Sequence, residues 1–137
     1  MGPDALDFWI GEWDVTWDGG SGINRITREL GGKVVVERFE PAPPETFTGM
    51  SVSVYDEHLG TWRQTWVDSD ANYWAFVGSG DAGDVSFSTP GPVDPEQLYK
   101  RMVFSDIEPD AFRWRWESSP DGLAWSERWA IGYRRRS

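Results

Sequence analysis

The sequence predicts an all-β protein, an antiparallel up-and-down barrel of about 8–10 strands preceded by a short helical turn. Apolar and polar residues alternate with a period of two along most of the chain, and turn-forming residues recur at short intervals. Aromatic residues are abundant, with 10 Trp, 7 Phe and 4 Tyr to supply apolar surface. Nearly all connections are of hairpin length, which favours a barrel over a sandwich. We expect residues 1–137 to form a single domain.

The helical turn is expected at residues 4–10, where Asp4 can cap it. The strands that follow are bounded by turn residues and are predicted at 12–18, 23–30, 33–40, 49–56, 61–69, 72–78, 84–89, 97–106, 111–118 and 124–134. Glycine-rich turns are expected at 19–22, at 31–32 and between 78 and 84. The proline-rich segments 41–44 and 90–95 cannot pair in a sheet and are predicted to be loops, the first of them over a barrel mouth.

Composition narrows the range of partners. The formal net charge of −10 disfavours nucleic acid and anionic membranes as partners. The chain has no Cys, which excludes disulfides and thiolate chemistry, and its single His, His58, lies in a predicted turn. A Ser-His-Asp triad, a zinc site or any other cofactor is therefore not expected. No secretory leader or apolar span is visible, so we expect a cytoplasmic protein.

Several motifs occur in a fixed order: LDFWIGEWDV at 6–15, RELGG at 28–32, ERF at 37–39, GTWRQTWVDS at 60–69 and SPDG at 119–122. This set resembles a family of small bacterial lipocalin-like proteins of the calycin superfamily, which have no established common activity. The resemblance implies a lipocalin-like (calycin) barrel in which Trp13 closes one end beneath the helical turn. Haem-binding calycins hold iron through a C-terminal His, which this chain lacks, so no haem site is carried over.

Three pairs of Trp residues lie four apart, at 13 and 17, 62 and 66, and 125 and 129, and each pair marks the buried face of a strand. The same alternation predicts that several polar side chains point into the barrel: Arg28, Gln64, Asp68 and Glu127, with Glu37 and Tyr55 as further candidates. Burying charge is costly unless it is paired. These residues therefore indicate either a polar pocket or internal pairing such as Arg28 with Glu37.

Three functions are compatible with this pattern. The first is a small-molecule-binding barrel for a flat, partly apolar ligand, in which Arg28 holds an oxyanion and Gln64 and Asp68 help to orient the molecule. Its wall would be formed by Trp17, Trp66, Trp114, Trp116 and Trp129. For this function, and for the enzymatic function described next, we expect Arg28→Leu to weaken ligand binding without unfolding the barrel.

The second function is a cofactor-independent cyclase, isomerase, lyase or hydratase. Glu127 or Glu37 would act as general acid or base, and Arg28 or Tyr55 would stabilise negative charge. The third is an interaction protein with a solidly packed barrel and its proline-rich loops as contact surfaces. The sequence leaves open the ligand, enzymatic activity and the oligomeric state, a homodimer included.

Overall fold

The computed structural model describes residues 1–81 and 84–137. Within that part of the chain, ten antiparallel strands form a closed barrel in which each strand pairs with its neighbours in sequence. The strands are β1 (Gly11–Trp17), β2 (Gly20–Glu29), β3 (Val34–Pro41), β4 (Gly49–Asp56), β5 (Thr61–Asp68), β6 (Tyr73–Asp81), β7 (Asp84–Ser88), β8 (Tyr99–Glu108), β9 (Ala111–Ser119) and β10 (Ser126–Arg135). The barrel closes because β1 pairs with β10. The predicted all-β, up-and-down barrel is confirmed.

The turn between β1 and β2 lies earlier in the chain than the predicted turn at residues 19–22. Asp18 and Gly19 form its two-residue connection, and Gly19 has a φ of 88°, a conformation that glycine adopts without steric cost. The later glycines of this segment belong to β2 instead. At Gly22 a Cβ would lie 2.7 Å from the backbone oxygen of Glu40, so a side chain there would clash with β3. The glycines therefore serve both the turn and the close approach of two strands.

Other strand ends also differ from the prediction. β8 begins at Tyr99 because Gln97 adopts a φ of 56°, which an extended strand does not allow. β10 begins at Ser126, after Asp121 has accepted the backbone N–H groups of Leu123 and Ala124 at 2.8 and 3.0 Å. β6 continues past residue 78 to residue 81. The glycine-rich turn predicted after it includes residues 82 and 83, which lie outside the described residues.

The N-terminal segment covers one end of the barrel. The 3-10 helix Asp7–Trp9 lies within the predicted helical turn, and Trp9 is buried. Trp13 is fully buried beneath it and donates its indole N–H to the carbonyl oxygen of Trp9 at 2.9 Å. The Arg135 guanidinium lies 4.2 Å from the centre of the Trp13 ring and donates to two backbone carbonyls of this segment. We call this the closed end. No helix in the described residues is long and apolar enough to cross a membrane.

Aromatic rings fill the barrel inward from the closed end. Trp9 meets Phe104 edge to face at 5.4 Å between ring centres, and Phe104 packs on Phe112 at 5.7 Å. Phe112 in turn stacks on Tyr133 at 4.2 Å. This packing leaves an open volume toward the opposite end, where β5 ends and β6 begins.

Candidate ligand-binding site

The barrel encloses a cavity of about 320 Å³ that opens at the end opposite the N-terminal segment. Its wall is mainly aromatic, and its polar groups are a carboxyl inside the barrel, a tyrosine hydroxyl and three side chains at the mouth. The lining residues are Trp9, Glu37, Phe39, Phe47, Trp66, Asp68, Asp70, Asn72, Trp74, Phe76, Met102, Phe104, Trp114, Trp116, Trp129, Ile131 and Tyr133. Small-molecule pockets have this character, with apolar walls and a few placed polar groups.

Glu37 is the carboxyl inside the barrel. It lies on β3 in phase with the buried residues Val35 and Phe39, so the alternation of the strand turns it inward, as the sequence predicted. It accepts hydrogen bonds of 2.7 Å from the Asn24 amide on β2 and of 2.7 Å from the Ser51 hydroxyl on β4. Three adjacent strands therefore hold this carboxyl in place.

The environment of Glu37 disfavours its charged form. Burial raises the pKa of the Glu37 carboxyl above its ordinary value of 4.5, and the hydrogen bonds from Ser51 and Asn24 offset only part of this effect. The groups that act on it among the described residues supply hydrogen bonds and no cation. A carboxyl of this kind can exchange a proton closer to neutral pH than an exposed glutamate does.

Tyr133 on β10 is linked to Glu37 through Asn24. The Asn24 amide donates to the Tyr133 hydroxyl oxygen at 2.8 Å as well as to Glu37. Burial, and after it the charge of Glu37, raise the pKa of Tyr133 well above its ordinary 10.0, so this hydroxyl keeps its proton. Because the oxygen is already an acceptor, the hydroxyl hydrogen can be donated to a further group in the cavity that Tyr133 lines.

Three buried polar atoms lack partners among the described residues: the indole nitrogen of Trp9 and the side-chain oxygens of Asn24 and Gln64. Trp9 lines the cavity, whereas Asn24 and Gln64 are not among its lining residues. A buried polar group without a partner costs about 1–3 kcal/mol and calls for an explanation. A ligand atom that accepts a hydrogen bond at this depth would supply a partner for the indole N–H of Trp9.

The mouth of the cavity is acidic. Asp68 accepts the indole N–H of Trp66 at 2.9 Å, the backbone N–H of Asp70 at 3.0 Å and that of Asn72 at 3.1 Å. Burial works to raise the pKa of Asp68, but these hydrogen bonds outweigh it and bring the pKa below its usual 3.8. Asp68 therefore stays ionised and holds both the loop that follows β5 and the ring of Trp66.

The structure brings six of the predicted site residues together at the cavity and leaves the other five outside its lining. The six are Glu37, Trp66, Asp68, Trp114, Trp116 and Trp129. Trp114 and Trp116 lie with their rings parallel at 6.3 Å, and Trp129 meets Trp114 edge to face at 5.6 Å.

Arg28 does not reach the cavity, and the expected pairing with Glu37 does not form. Its backbone is in phase with Ile26, but it lies near the closed end of the barrel and its side chain is 31% exposed. The guanidinium pairs with Asp7 of the 3-10 helix and donates to the carbonyl oxygen of Gly32 at 3.2 Å. The prediction that Arg28 points into a pocket is therefore wrong. Arg28 lies on the inward-facing side of β2, but it lies closer to the closed end of the barrel than the cavity does.

Glu127 is exposed, and the prediction that it points inward is also wrong. β10 pairs with β9 in regular register except between Glu127 and Trp129, where one residue, Arg128, is inserted as a bulge. A bulge reverses the alternation of a strand, so Trp129 faces the cavity while Glu127 faces solvent. Trp125, expected on the buried face, instead lies before the strand, with the Arg101 guanidinium 4.1 Å from its ring centre.

The remaining predicted residues have structural contacts. Gln64 is buried, as predicted, and donates to the Ser53 hydroxyl at 3.0 Å outside the cavity lining. Tyr55 lies at the closed end, where its hydroxyl is 3.4 Å from the carbonyl oxygen of Met1. Trp17 is not a lining residue but packs edge to face against Trp129 of the cavity wall, with 5.3 Å between ring centres.

The site also contains residues that the sequence analysis did not single out as functional. Asn24 shares the apolar face of β2 with Ile26, and Tyr133 shares that of β10 with Ile131. Their placement on buried faces was the available signal. Their contact with each other across the closure of the barrel was not visible in the sequence.

Comparison with known proteins gives no family assignment: no protein-family model matches the chain, and no curated protein sequence matches it. Within the part of the chain that the structure describes, no group of three or more His, Cys, Asp or Glu side chains is arranged to hold a metal ion.

Proposed function

We propose that this protein is a small-molecule-binding barrel whose ligand is flat and partly apolar. The observation that carries the proposal is the aromatic-walled cavity of about 320 Å³, with a buried carboxyl inside it. At roughly 30 Å³ for each water molecule, this volume equals about ten waters, which suits a one- or two-ring ligand. The partnerless indole N–H of Trp9, which lines the cavity, supports the same conclusion.

The fold is compatible with the lipocalin-like family that the sequence resembles, and membership of that family is part of the proposal. A closed antiparallel barrel that encloses a small molecule is a common form of such proteins. The interaction-protein hypothesis needs a barrel packed solid, and the cavity gives it no support.

A second candidate is a cofactor-independent enzyme, and the position of Glu37 favours it. A carboxyl held in an aromatic cavity without a cation has the environment of a general acid or base. Tyr133 would then replace Arg28 and Tyr55 as the group that stabilises developing negative charge, because it lines the same cavity as Glu37. A titration of the Glu37 carboxyl by ¹³C NMR tests this role: a pKa above 4.5 is expected, and one at or below 4.5 would contradict it.

The binding function is tested with a set of one- and two-ring fragments, neutral, basic and acidic, screened by ligand-observed NMR. Met102→Trp is the blocking variant, because Met102 is buried and lines the cavity. Val67→Trp is the matched control, because Val67 is 38% exposed on the outer surface of β5. Both variants add an indole, but only the first adds it inside the barrel.

We expect fragments to bind the wild type and Val67→Trp and to lose binding to Met102→Trp. Binding that survives in Met102→Trp would place the fragments outside the cavity. The proposed function fails if no fragment binds the wild type at millimolar concentration.

A further inference from the structure

We propose that the ligand carries a basic nitrogen, such as a primary or secondary amine, which binds the Glu37 carboxylate while its apolar body is enclosed by the aromatic wall. This inference rests on the proposed function, because it assigns a chemical class to the molecule that the barrel would hold. The expected charge of the ligand is thus opposite to the one predicted from the sequence, where Arg28 was expected to hold an oxyanion.

The charges around the cavity favour a cationic ligand. The charged side chains that line it are all carboxylates, Glu37 inside and Asp68 and Asp70 at the mouth, and none of the described lining residues is Lys, Arg or His. An acidic ligand would have to pass the mouth and lie against Glu37 with no cation to pair with it, which burial makes costly. A cationic ligand would be attracted at both points.

The groups around Glu37 also favour a cationic ligand. Ser51 and Asn24 donate to it from the strands on either side, and Tyr133 is the titratable group that faces it from β10. The arginines on β2 and β3 form no ion pair with Glu37. Arg25 pairs with Glu12 and Glu40 on the outer surface, and Arg38 is exposed. An ammonium group from a ligand would supply the missing partner.

The aromatic wall of the cavity favours a cation as well. The faces of indole and phenyl rings carry negative electrostatic potential and attract a cation placed within about 6 Å of a ring centre. Trp114, Trp116 and Trp129 pack against one another along the cavity, and Phe39 meets Trp129 edge to face at 6.3 Å. These rings would favour an ammonium group over a carboxylate and would also accept an apolar body.

The test uses three probes that share an indole ring and differ at the end of the chain: tryptamine, the alcohol tryptophol and the acid indole-3-propionate. Their affinities are measured by isothermal titration calorimetry for the wild type, Glu37→Gln, Met102→Trp and the exposed control Glu127→Gln. A charge-assisted hydrogen bond to a buried carboxylate should make tryptamine bind the wild type roughly tenfold or more tightly than tryptophol. Indole-3-propionate should bind most weakly.

In Glu37→Gln the advantage of tryptamine over tryptophol should disappear, and in Glu127→Gln it should persist. The comparison of the three probes on the wild type does not depend on how well Glu37→Gln folds. If tryptophol or indole-3-propionate binds as tightly as tryptamine and is excluded by Met102→Trp, the cavity is a ligand site and the basic nitrogen is refuted.

Tryptamine binding that is unaffected by Glu37→Gln, or that survives in Met102→Trp, would also overturn the inference. If none of the three binds while other fragments do, the chemical class is wrong and the proposed function stands. If no fragment of any kind binds, both fail.

Discussion

A carboxyl buried without a cation should make the folded protein less stable as pH rises, and Glu37→Gln isolates this effect. The raised pKa of Glu37 means that the folded state binds its proton more tightly than the unfolded state does. Stability from this group is therefore fully present below the unfolded-state value of 4.5 and is lost as pH rises through the folded-state pKa. Glutamine has nearly the same shape and no charge, so the variant should lack this loss.

The magnitude follows from proton linkage. Between the two pKa values the wild type should lose up to about 1.4 kcal/mol of unfolding free energy for each pH unit, relative to Glu37→Gln. Asp56, Asp68 and Asp121 have pKa values below 3.8, so their contributions are lost only as pH falls below that range. They are common to both proteins and cancel in the difference.

The assay is urea denaturation of both proteins from about pH 4 to about pH 8, with the difference in unfolding free energy plotted against pH. The difference should start within about 1 kcal/mol of zero, because glutamine keeps most of the hydrogen-bonding capacity. It should then move in favour of the variant as pH rises. A difference that stays flat over the whole range would refute the claim that Glu37 is buried without compensation for its charge.

Three further predictions follow from the placement of other residues. Arg28→Leu should leave ligand affinity unchanged and cost at most about 1 kcal/mol in urea denaturation, because the partly exposed pair with Asp7 lies away from the cavity; a clear loss of affinity would contradict this placement. Glu127→Gln should change stability by less than about 0.5 kcal/mol, and a larger loss would show that its side chain is not exposed. Gly49→Ala should destabilise by about 1–3 kcal/mol, because its Cβ would lie within the space of the Trp66 ring; an unchanged denaturation midpoint would count against that contact.

The barrel could be predicted because apolar and polar residues must alternate along every strand that has one buried face, and this alternation can be read from the sequence. The same signal placed Glu37 and Gln64 inward correctly. It failed at Glu127, where the extra residue Arg128 reverses the alternation without any change in residue type that would reveal it. The inward or outward direction of a side chain is set locally along a strand, and a single bulge is enough to reverse it.

The position of a residue along the barrel axis is the second property that could not be predicted from the sequence. Arg28 and Glu37 both have an inward phase, yet one lies near the N-terminal turn and the other at the cavity. The contact of Asn24 with Tyr133 depends on the register of β1 with both of its neighbours, which place Trp13 beside Asn24 and Val15 beside Tyr133. Such contacts arise only when the sheet closes.

The most direct test of the account is a crystal structure of the wild type soaked with tryptamine. We expect the indole inside the barrel among the tryptophans of the wall, with the amine nitrogen within hydrogen-bond distance of the Glu37 carboxylate. A barrel filled by its own side chains, or tryptamine bound on the outer surface with the cavity unchanged, would contradict it.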